Sequence, residues 1–312
     1  MAGAAALVDR LLAGERRALA RVLTHVEDGS PQRLREIIAL LHPHTGRAAL
    51  VGVTGSPGVG KSTLTSALVA VWRARDQRVA VLAVDPSSPF TGGALLGDRV
   101  RMQDHVMDPG VFIRSMASRG HLGGLSWATP QALLALDAAG FDVVIVETVG
   151  VGQAEVEIAS LADTTVVALA PGMGDAIQAA KAGILEVADV FCVNKADRDG
   201  ADKTVRELRN MQELGHGDWL PPICKTIAST GEGIAALADA VEGHRDWLQA
   251  TGTLAQRRLD RARNQVREIA LGAVRARFAD LGEGELVETL SHKVADRTLD
   301  PYAAADALLA TL

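Results

Sequence analysis

Cysteine is scarce in this chain of 312 residues, and long apolar runs are missing from it. Its two cysteines, Cys192 and Cys224, lie in apolar or proline-rich segments and form no metal-binding pair, so we expect small core residues and a reducing compartment. No apolar run reaches the roughly 18 residues of a membrane span, and the first residues lack the basic start of a signal peptide. We therefore expect a cytoplasmic protein that does not bind membranes.

The chain also has no excess of basic residues. It carries 32 lysines and arginines against 38 aspartates and glutamates, a formal net charge of -6. This balance, without a dense basic run, predicts that the protein does not bind nucleic acid and that any polyanion binds at a local site. With 48% apolar residues, the chain is long enough for one large core and smaller flanking modules.

Short apolar segments alternate with helical ones in the middle of the chain. Residues 5–42 have helical apolar spacing, with Ser30-Pro31 as a cap and first-turn proline and with His42-Pro43 at the end. The candidate strands that follow are 48–54, 78–84, 142–147, 165–170, 189–193 and a short one near 223–227. Because these strands do not alternate apolar with polar residues, they indicate a parallel sheet covered on both faces.

Beyond residue 252 the pattern is helical. Apolar residues recur every three or four positions on one face, at Leu259, Ala262, Val266, Ile269, Ala273 and Ala276. This seam packs either on the chain's own sheet domain or on a second copy. We predict an N-terminal helical segment at 1–46, a domain built on the parallel sheet at 47–250 and a C-terminal helical dimerisation segment at 251–312.

The segment after the first strand matches a phosphate-binding loop. Gly55-Ser56-Pro57-Gly58-Val59-Gly60-Lys61-Ser62 fits G-x-x-x-x-G-K-[ST], and Thr63 continues into a helix. Glycines let backbone N–H groups surround a phosphate, and the helix N-terminus attracts the same anion. We expect Lys61 to neutralise the β- and γ-phosphates and Ser62 to ligate Mg²⁺. The predicted fold class is α/β, a P-loop NTPase with a mainly parallel central sheet flanked by helices, plus N- and C-terminal helical extensions.

A second motif follows the strand at 189–193. Asn194-Lys195-Ala196-Asp197 stands at the C-terminal end of a strand, where open α/β sheets bind ligands. Alone it could be a polar turn, but after a P-loop it indicates a guanine site. Asp197 can accept from guanine N1–H and the 2-amino group, which adenine lacks, so GTP is preferred to ATP by roughly 10⁴-fold. Ala228-Ser229 is placed to offer a backbone N–H to the guanine carbonyl.

Three acidic residues are candidate Mg²⁺ ligands, because hard oxygen donors suit this ion. Glu147 ends the strand at 142–147, and Gly150 stands where a γ-phosphate sensor is expected. Asp85 and Asp98 lie on a glycine- and proline-rich stretch. Asp85 is alternatively a strand-end turn, and Asp98 a helix cap or surface charge. Many GTPases have aspartate at the position of Glu147, so glutamate is unusual here.

Taken together, these motifs resemble the MeaB/ArgK family of methylmalonyl-CoA mutase-associated GTPases, of the SIMIBI class of P-loop proteins. The resemblance covers most of the chain, and its middle motifs are more specific than the P-loop. They are Asp85-Pro-Ser-Ser-Pro89 with Thr91-Gly-Gly93 and Gly97-Asp98, Leu122-Gly123-Gly124, Glu147-Thr-Val-Gly-Val-Gly-Gln153, Pro171-Gly-Met-Gly-Asp175 with Gln178 and Lys181, and Asn194-Lys-Ala-Asp197.

This resemblance implies a homodimeric GTPase that escorts a coenzyme B12-dependent acyl-CoA mutase such as methylmalonyl-CoA mutase. It would gate cofactor loading and protect or reactivate the mutase, with GTP or GDP and Mg²⁺ as cofactors and an adenosyltransferase as a further partner. By the same resemblance, the residues around Mg²⁺ and the phosphates are Lys61, Ser62, Asp85, Asp98 and Glu147, of which Lys61, Asp98 and Glu147 act in catalysis. Loops near 85–102, 147–157 and 171–183 would be switches that order when the γ-phosphate is present.

Two other function classes share the P-loop. A small-molecule kinase or transport-linked ATPase is disfavoured by the guanine motif. A metal-inserting metallochaperone GTPase would carry a Cys/His cluster, whereas the close histidines here are His42 and His44, which end a helix. No switch residue is evident as an arginine finger, including in the segment 114–121, and Gln153 either orients the attacking water or lies at the surface. We therefore expect slow hydrolysis that a partner accelerates.

Overall fold

The computed structural model describes residues 2–85, 105, 107–117, 128–148, 154–172, 187–213, 218–282 and 285–310, which form two compact units, Met1–Ala255 and Gln256–Leu312. The strands are Ala49–Thr54 (β1), Val79–Asp85 (β2), Val111–Ala117 (β3), Val143–Thr148 (β4), Thr164–Leu169 (β5), Val190–Asn194 (β6) and Ile223–Thr226 (β7). The α-helices are Ala2–Leu12 (α1), Arg16–Asp28 (α2), Pro31–Leu41 (α3), Lys61–Ala74 (α4), Thr129–Ala138 (α5), Ala154–Leu161 (α6), Ala201–Gln212 (α7), Ile234–Ala250 (α8), Thr253–Gly282 (α9), Glu285–Ala295 (α10) and Pro301–Leu309 (α11).

The seven strands form one sheet in the order β3-β2-β4-β1-β5-β6-β7, and every neighbouring pair is parallel. This confirms the predicted parallel sheet, and the six predicted strands begin and end within one residue of the observed ones. Strand β3 was not predicted. It lies at one edge of the sheet, and Arg114 and Ser115 interrupt its apolar pattern.

Apolar clusters cover both faces of the sheet. On one face the N-terminal helices α1–α3 pack together with α5, and Leu11, Leu23 and Ile37 are almost completely buried there. On the other face α4 and α8 pack over β1, β5 and β6. Burying a side chain of this size is worth about 1.5–3 kcal/mol, so the N-terminal helices add substantially to the stability of the first unit. They belong to the same compact unit as the sheet.

Polar contacts fix the chain at two points before the sheet, at the start of α3 and at the entry to β1. Ser30 caps α3 by accepting a hydrogen bond from the Arg33 amide at 3.3 Å, as the Ser-Pro pattern predicted. Farther on, the Asp137 carboxylate at the end of α5 accepts from the backbone amides of residues 46, 47 and 48 at 2.5, 3.1 and 3.0 Å. One carboxylate therefore satisfies three successive donors where the chain leaves the helices and enters the sheet.

The second unit consists of α9 from Gln256 onward, α10 and α11. Asp300 caps α11 by accepting from the amides of Tyr302 and Ala303 at 3.0 and 3.1 Å. Within α9, Leu259, Val266 and Ile269 are 46%, 69% and 51% exposed. Among the described residues, no helix is both long enough and apolar enough to cross a bilayer.

The parallel arrangement brings several strand ends to one edge of the sheet. β1 ends at Thr54, β4 at Thr148 and β6 at Asn194. The two threonine hydroxyls lie 3.4 Å apart. Motifs that are far apart in the sequence therefore meet at this carboxyl edge, as expected for the ligand site of an open α/β sheet.

Candidate nucleotide-binding site

The phosphate loop connects β1 to α4 at the carboxyl edge of the sheet. Its glycines Gly55, Gly58 and Gly60 have φ angles of 139°, 81° and 94°, a region that glycine adopts without steric cost. A Cβ at Gly55 would lie 2.1 Å from the Ala168 carbonyl oxygen, and one at Gly60 would lie 2.7 Å from Asn194 Nδ2. The loop therefore needs glycine at both positions for conformation and for space.

The other loop residues differ in burial. Pro57 and Gly58 are exposed at the tip, Val59 is buried beneath it, and Thr63 is exposed on the first turn of α4. Gly60 is the N-cap of this helix, which begins at Lys61. The loop thus presents an exposed tip next to a helix N-terminus, a combination that suits a bound phosphate.

Lys61 is folded into the loop. Its side chain is buried, and Nζ donates to the carbonyl oxygens of Gly55 at 2.6 Å and Ser56 at 3.2 Å. These two bonds place the ammonium inside the curve of the loop, where it can attract a phosphate.

Ser62 and Glu147 are in direct contact. Both are buried, and Ser62 Oγ donates to Glu147 Oε1 at 2.7 Å. Glu147 lies on β4 between two strands, paired in register with Val53 of β1 and Ala83 of β2. A hydroxyl and a carboxylate therefore meet beside the loop, and both are hard oxygen donors of the kind that Mg²⁺ prefers.

The structure describes only some of the other predicted acidic residues and switch loops. Asp85 is the last residue of β2, which is paired with β4, so its backbone lies at the same edge as Glu147. Asp98, Gly150 and Gln153 lie outside the described residues, as do residues 86–102, 149–153 and 173–183 of the predicted switch loops. Arg114 is described, and it forms an ion pair with Glu27 of α2, on the side of the N-terminal helices.

The predicted base motif is anchored to the phosphate loop. Asn194 is buried at the end of β6, and its Nδ2 donates to the Val59 carbonyl oxygen at 2.8 Å. Lys195 has a positive φ of 58°, and its Nζ donates to the Gly58 carbonyl oxygen at 2.6 Å. The two contacts fix the base loop against the phosphate loop, while Asp197 is exposed on the turn that follows.

A threonine that the sequence analysis did not assign supports this motif. Asn194 Oδ1 accepts from Thr226 Oγ1 at 3.2 Å and from the Ala228 amide at 3.1 Å, and the Ala196 amide donates to the Thr226 carbonyl at 3.0 Å. The only signal for Thr226 in the sequence was its place at the end of the short predicted strand. The Ala228 amide donates to Asn194, and the contact of Ala228-Ser229 with the guanine carbonyl stays a prediction.

Metal-binding side chains are not clustered elsewhere in the described part of the chain. Within those ranges, no three His, Cys, Asp or Glu side chains lie close enough together to hold a metal ion. Below the base motif, burial raises the pKa of the Cys192 thiol to about 12, although a hydrogen bond with Thr226 lowers it slightly. This thiol is therefore protonated at neutral pH.

Comparison with known proteins agrees with this geometry. The family model described as "Methylmalonyl Co-A mutase-associated GTPase MeaB" matches residues 19–282. A putative GTPase from Pyrococcus abyssi is 47% identical over 312 residues, which covers 97% of this chain and 95% of the relative. A methylmalonic aciduria type A homolog, mitochondrial, from Caenorhabditis briggsae is 34% identical, covering 81% of this chain and 66% of that protein. A solved LAO/AO transport system kinase has a TM-score of 0.72 and 29% identity, covering 100% of this chain and 98% of that one.

Proposed function

The chain belongs to the family of methylmalonyl Co-A mutase-associated GTPases MeaB, and from this membership we propose that it is a GTP-dependent chaperone of a coenzyme B12-dependent acyl-CoA mutase. As a member it is a P-loop GTPase that binds guanine nucleotide. The observation that carries the proposal is the family match across residues 19–282, which includes the P-loop, Glu147 and the base motif. The relative named for methylmalonic aciduria supports a mutase as the partner.

In this proposal the phosphate loop binds the β- and γ-phosphates. The loop backbone and the N-terminus of α4 supply N–H groups and partial positive charge, and Lys61 supplies a full charge. Lys61 already lies between the carbonyls of Gly55 and Ser56, so it needs little rearrangement to contact a phosphate. A preorganised charge of this kind stabilises the transferring phosphoryl group without the cost of ordering a flexible side chain.

We also propose that the site holds Mg²⁺. Ser62 and Glu147 are hard oxygen donors already in contact, and Asp85 ends the neighbouring strand, so the donor chemistry fits this ion. Asp98 is the fourth proposed ligand. A bound Mg²⁺ would neutralise charge on the β- and γ-phosphates. The bond between Glu147 and Ser62 joins β4 to the phosphate loop. Loss of the γ-phosphate can therefore change the position of the residues that follow β4.

Guanine selectivity is proposed to come from Asp197. Its carboxylate would accept from N1–H and the 2-amino group of guanine, and Asn194 and Lys195 would position it through their bonds to the phosphate loop. Adenine would leave this acceptor unpaired, which a site of this kind penalises by roughly 10⁴-fold.

Partner regulation is proposed to act through the loops 85–102, 147–157 and 171–183. In the GTP state these loops would order around the γ-phosphate and present a surface to the mutase, and on hydrolysis they would relax. This cycle would gate cofactor loading and protect or reactivate the mutase, with an adenosyltransferase as a further partner. No arginine finger was identified, so hydrolysis is expected to be slow until the partner binds.

The proposed homodimer uses the apolar seam of α9. Leu259, Val266 and Ile269 lie on one face and are about half exposed or more in the second unit. A second copy that covers this seam would remove the apolar residues from water, at about 25 cal/mol per Å². We expect Ile269→Asp to produce a monomer in light scattering, because it places a charge in that contact.

Asn264 on the opposite face of α9 provides the matched control. Asn264→Asp introduces the same charge and should leave the dimer intact. A wild-type chain that is monomeric at micromolar concentration would contradict the dimer, and dissociation by both variants would contradict the seam as its contact.

The function is tested by measuring hydrolysis of GTP and ATP with Mg²⁺, with and without a B12-dependent acyl-CoA mutase from the same source. We expect slow GTP hydrolysis alone, a clear acceleration with the mutase, and little ATP hydrolysis. Unchanged GTP hydrolysis with every mutase tested would contradict the chaperone role. Equal use of ATP would contradict the guanine site.

A further inference from the structure

We propose that Cys192 and Cys224 form a reversible disulfide that weakens guanine nucleotide binding. The two cysteines are directly opposite each other on the neighbouring parallel strands β6 and β7. Both are free thiols in the structure. In the chain 31 residues separate them, and they become neighbours only through the strand order of the sheet. The inference rests on the guanine site and not on the mutase partner.

The two side chains point to the same face of the sheet. Cys192 belongs to the apolar cluster under α4 and α8, and Cys224 packs against the same cluster. Their neighbours Phe191 and Ile223 belong to the cluster on the opposite face. Neighbouring strands lie about 4.7–4.9 Å apart, and disulfides join Cα atoms about 4.4–6.8 Å apart. The pair therefore lies at the short end of the range that a disulfide can span.

The two thiols differ in exposure. Cys192 is fully buried, while Cys224 is partly exposed on β7, the last strand in the sheet order. A small oxidant therefore reaches Cys224 first, and Cys192 is the resolving thiol. Burial raises the pKa of both thiols, that of Cys192 to about 12. The reaction is consequently slow and requires sustained exposure to an oxidant.

The oxidant in this scheme is a low-molecular-weight disulfide such as oxidised glutathione. The thiolate of Cys224 attacks one sulfur of the oxidant, forms a mixed disulfide and releases one glutathione thiol. Cys192 loses its proton to the solvent, and its thiolate attacks Cys224 Sγ and releases the second glutathione thiol. The protein loses two electrons and two protons, and the oxidant is reduced to two thiols.

This bond would lie directly below the support of the base motif. Cys192 Sγ is 3.2 Å from Thr226 Oγ1, and that hydroxyl donates to Asn194 Oδ1 at 3.2 Å. Forming the bond changes the partner of the Cys192 sulfur and pushes β7 away from β6 two residues before Thr226, because most disulfides join Cα atoms about 5.5–6 Å apart. Asn194 would then lose part of the support that fixes the base loop against the phosphate loop. Loss of one such neutral hydrogen bond corresponds to up to about tenfold weaker binding.

The test uses the full chain loaded with a fluorescent GDP analogue and Mg²⁺. The protein is incubated with oxidised glutathione, and its mass, its tryptic peptides and the GDP release rate are measured. We expect a mass decrease of two hydrogens and a disulfide between peptides 182–195 and 210–225. GDP release should be up to about tenfold faster, and a reducing agent should reverse both changes.

Cys224→Ser is the matched control, because it removes one of the two thiols at a partly exposed position. It should form no internal disulfide, and its GDP release should not respond to the oxidant. The proposal is overturned if the wild-type reaction stops at a mixed disulfide on Cys224 or if the linked protein releases GDP at the original rate. It is equally overturned if Cys224→Ser responds like the wild type.

Discussion

Replacing Gly60 by alanine tests whether the base loop and the phosphate loop are in close contact. Gly60 and Gly58 both have positive φ angles, 94° and 81°, so alanine at either position costs about 1–2 kcal/mol of backbone energy. A Cβ at Gly60 would lie 2.7 Å from Asn194 Nδ2, whereas one at Gly58 would meet no heavy atom within 4 Å. The two substitutions therefore share the conformational cost and differ in the contact.

The size of the difference follows from the bonds of Asn194. Its buried amide donates to the Val59 carbonyl at 2.8 Å, and a Cβ at Gly60 would push it away. Leaving a buried donor and acceptor without partners costs about 1–3 kcal/mol. We expect Gly60→Ala to lower the free energy of unfolding by about 1–3 kcal/mol more than Gly58→Ala does.

Urea unfolding without nucleotide measures this difference, because bound nucleotide would add its own stabilisation. Tryptophan fluorescence is a suitable signal, since Trp72 of α4 is buried in the core. Equal losses in the two variants would refute the reasoning, because they would show that the Cβ of residue 60 does not disturb Asn194. A larger loss for Gly58→Ala would refute it as well.

Two further substitutions test the phosphate and base contacts. Lys61→Ala should abolish measurable GTP turnover, because it removes the charge inside the loop, while the exposed control Lys203→Ala should retain it; unchanged turnover in the first would disprove the assignment of Lys61. Asp197→Asn should reduce the preference for GTP over ATP from roughly 10⁴-fold toward equality. The neighbouring exposed Asp199→Asn should leave it unchanged, and an undiminished preference in Asp197→Asn would exclude that carboxylate as the guanine acceptor.

Local features could be predicted from the sequence where the residue type at a position has a single structural role. Six strands were predicted to within a residue, and five of them are mostly apolar, as buried parallel strands are, whereas the short β7 carries the exposed Lys225. The Ser30 cap was predicted because serine before proline is typical of a helix N-terminus. The P-loop was predicted because its glycines, such as Gly60 before Lys61, allow the backbone conformation that the loop needs. Strand β3 was missed because Arg114, which pairs with Glu27 of α2, makes it look polar. The charge of Arg114 is explained only by its ion pair with α2, which the sequence of the strand does not show.

Long-range contacts in the site could not be predicted from one sequence. The supporting role of Thr226 depends on the position of β7 beside β6, and no local pattern gives the order of strands in a sheet. The same holds for the pairing of Cys192 with Cys224. The position of the N-terminal helices on the sheet was also not predicted, since an apolar helix face indicates burial without naming its partner.

The bond from Asn194 to Val59 spans 135 residues, and the one from Lys195 to Gly58 spans 137. During synthesis, the phosphate loop is therefore complete long before the segment that holds it in place has been made. A ribosome-bound chain that ends before β6 would have the P-loop sequence without its support, so tight nucleotide binding should begin only when β6 and β7 have joined the sheet. Nucleotide binding thus reports on completed folding of the first unit, and a nascent chain cannot enter the GTPase cycle early.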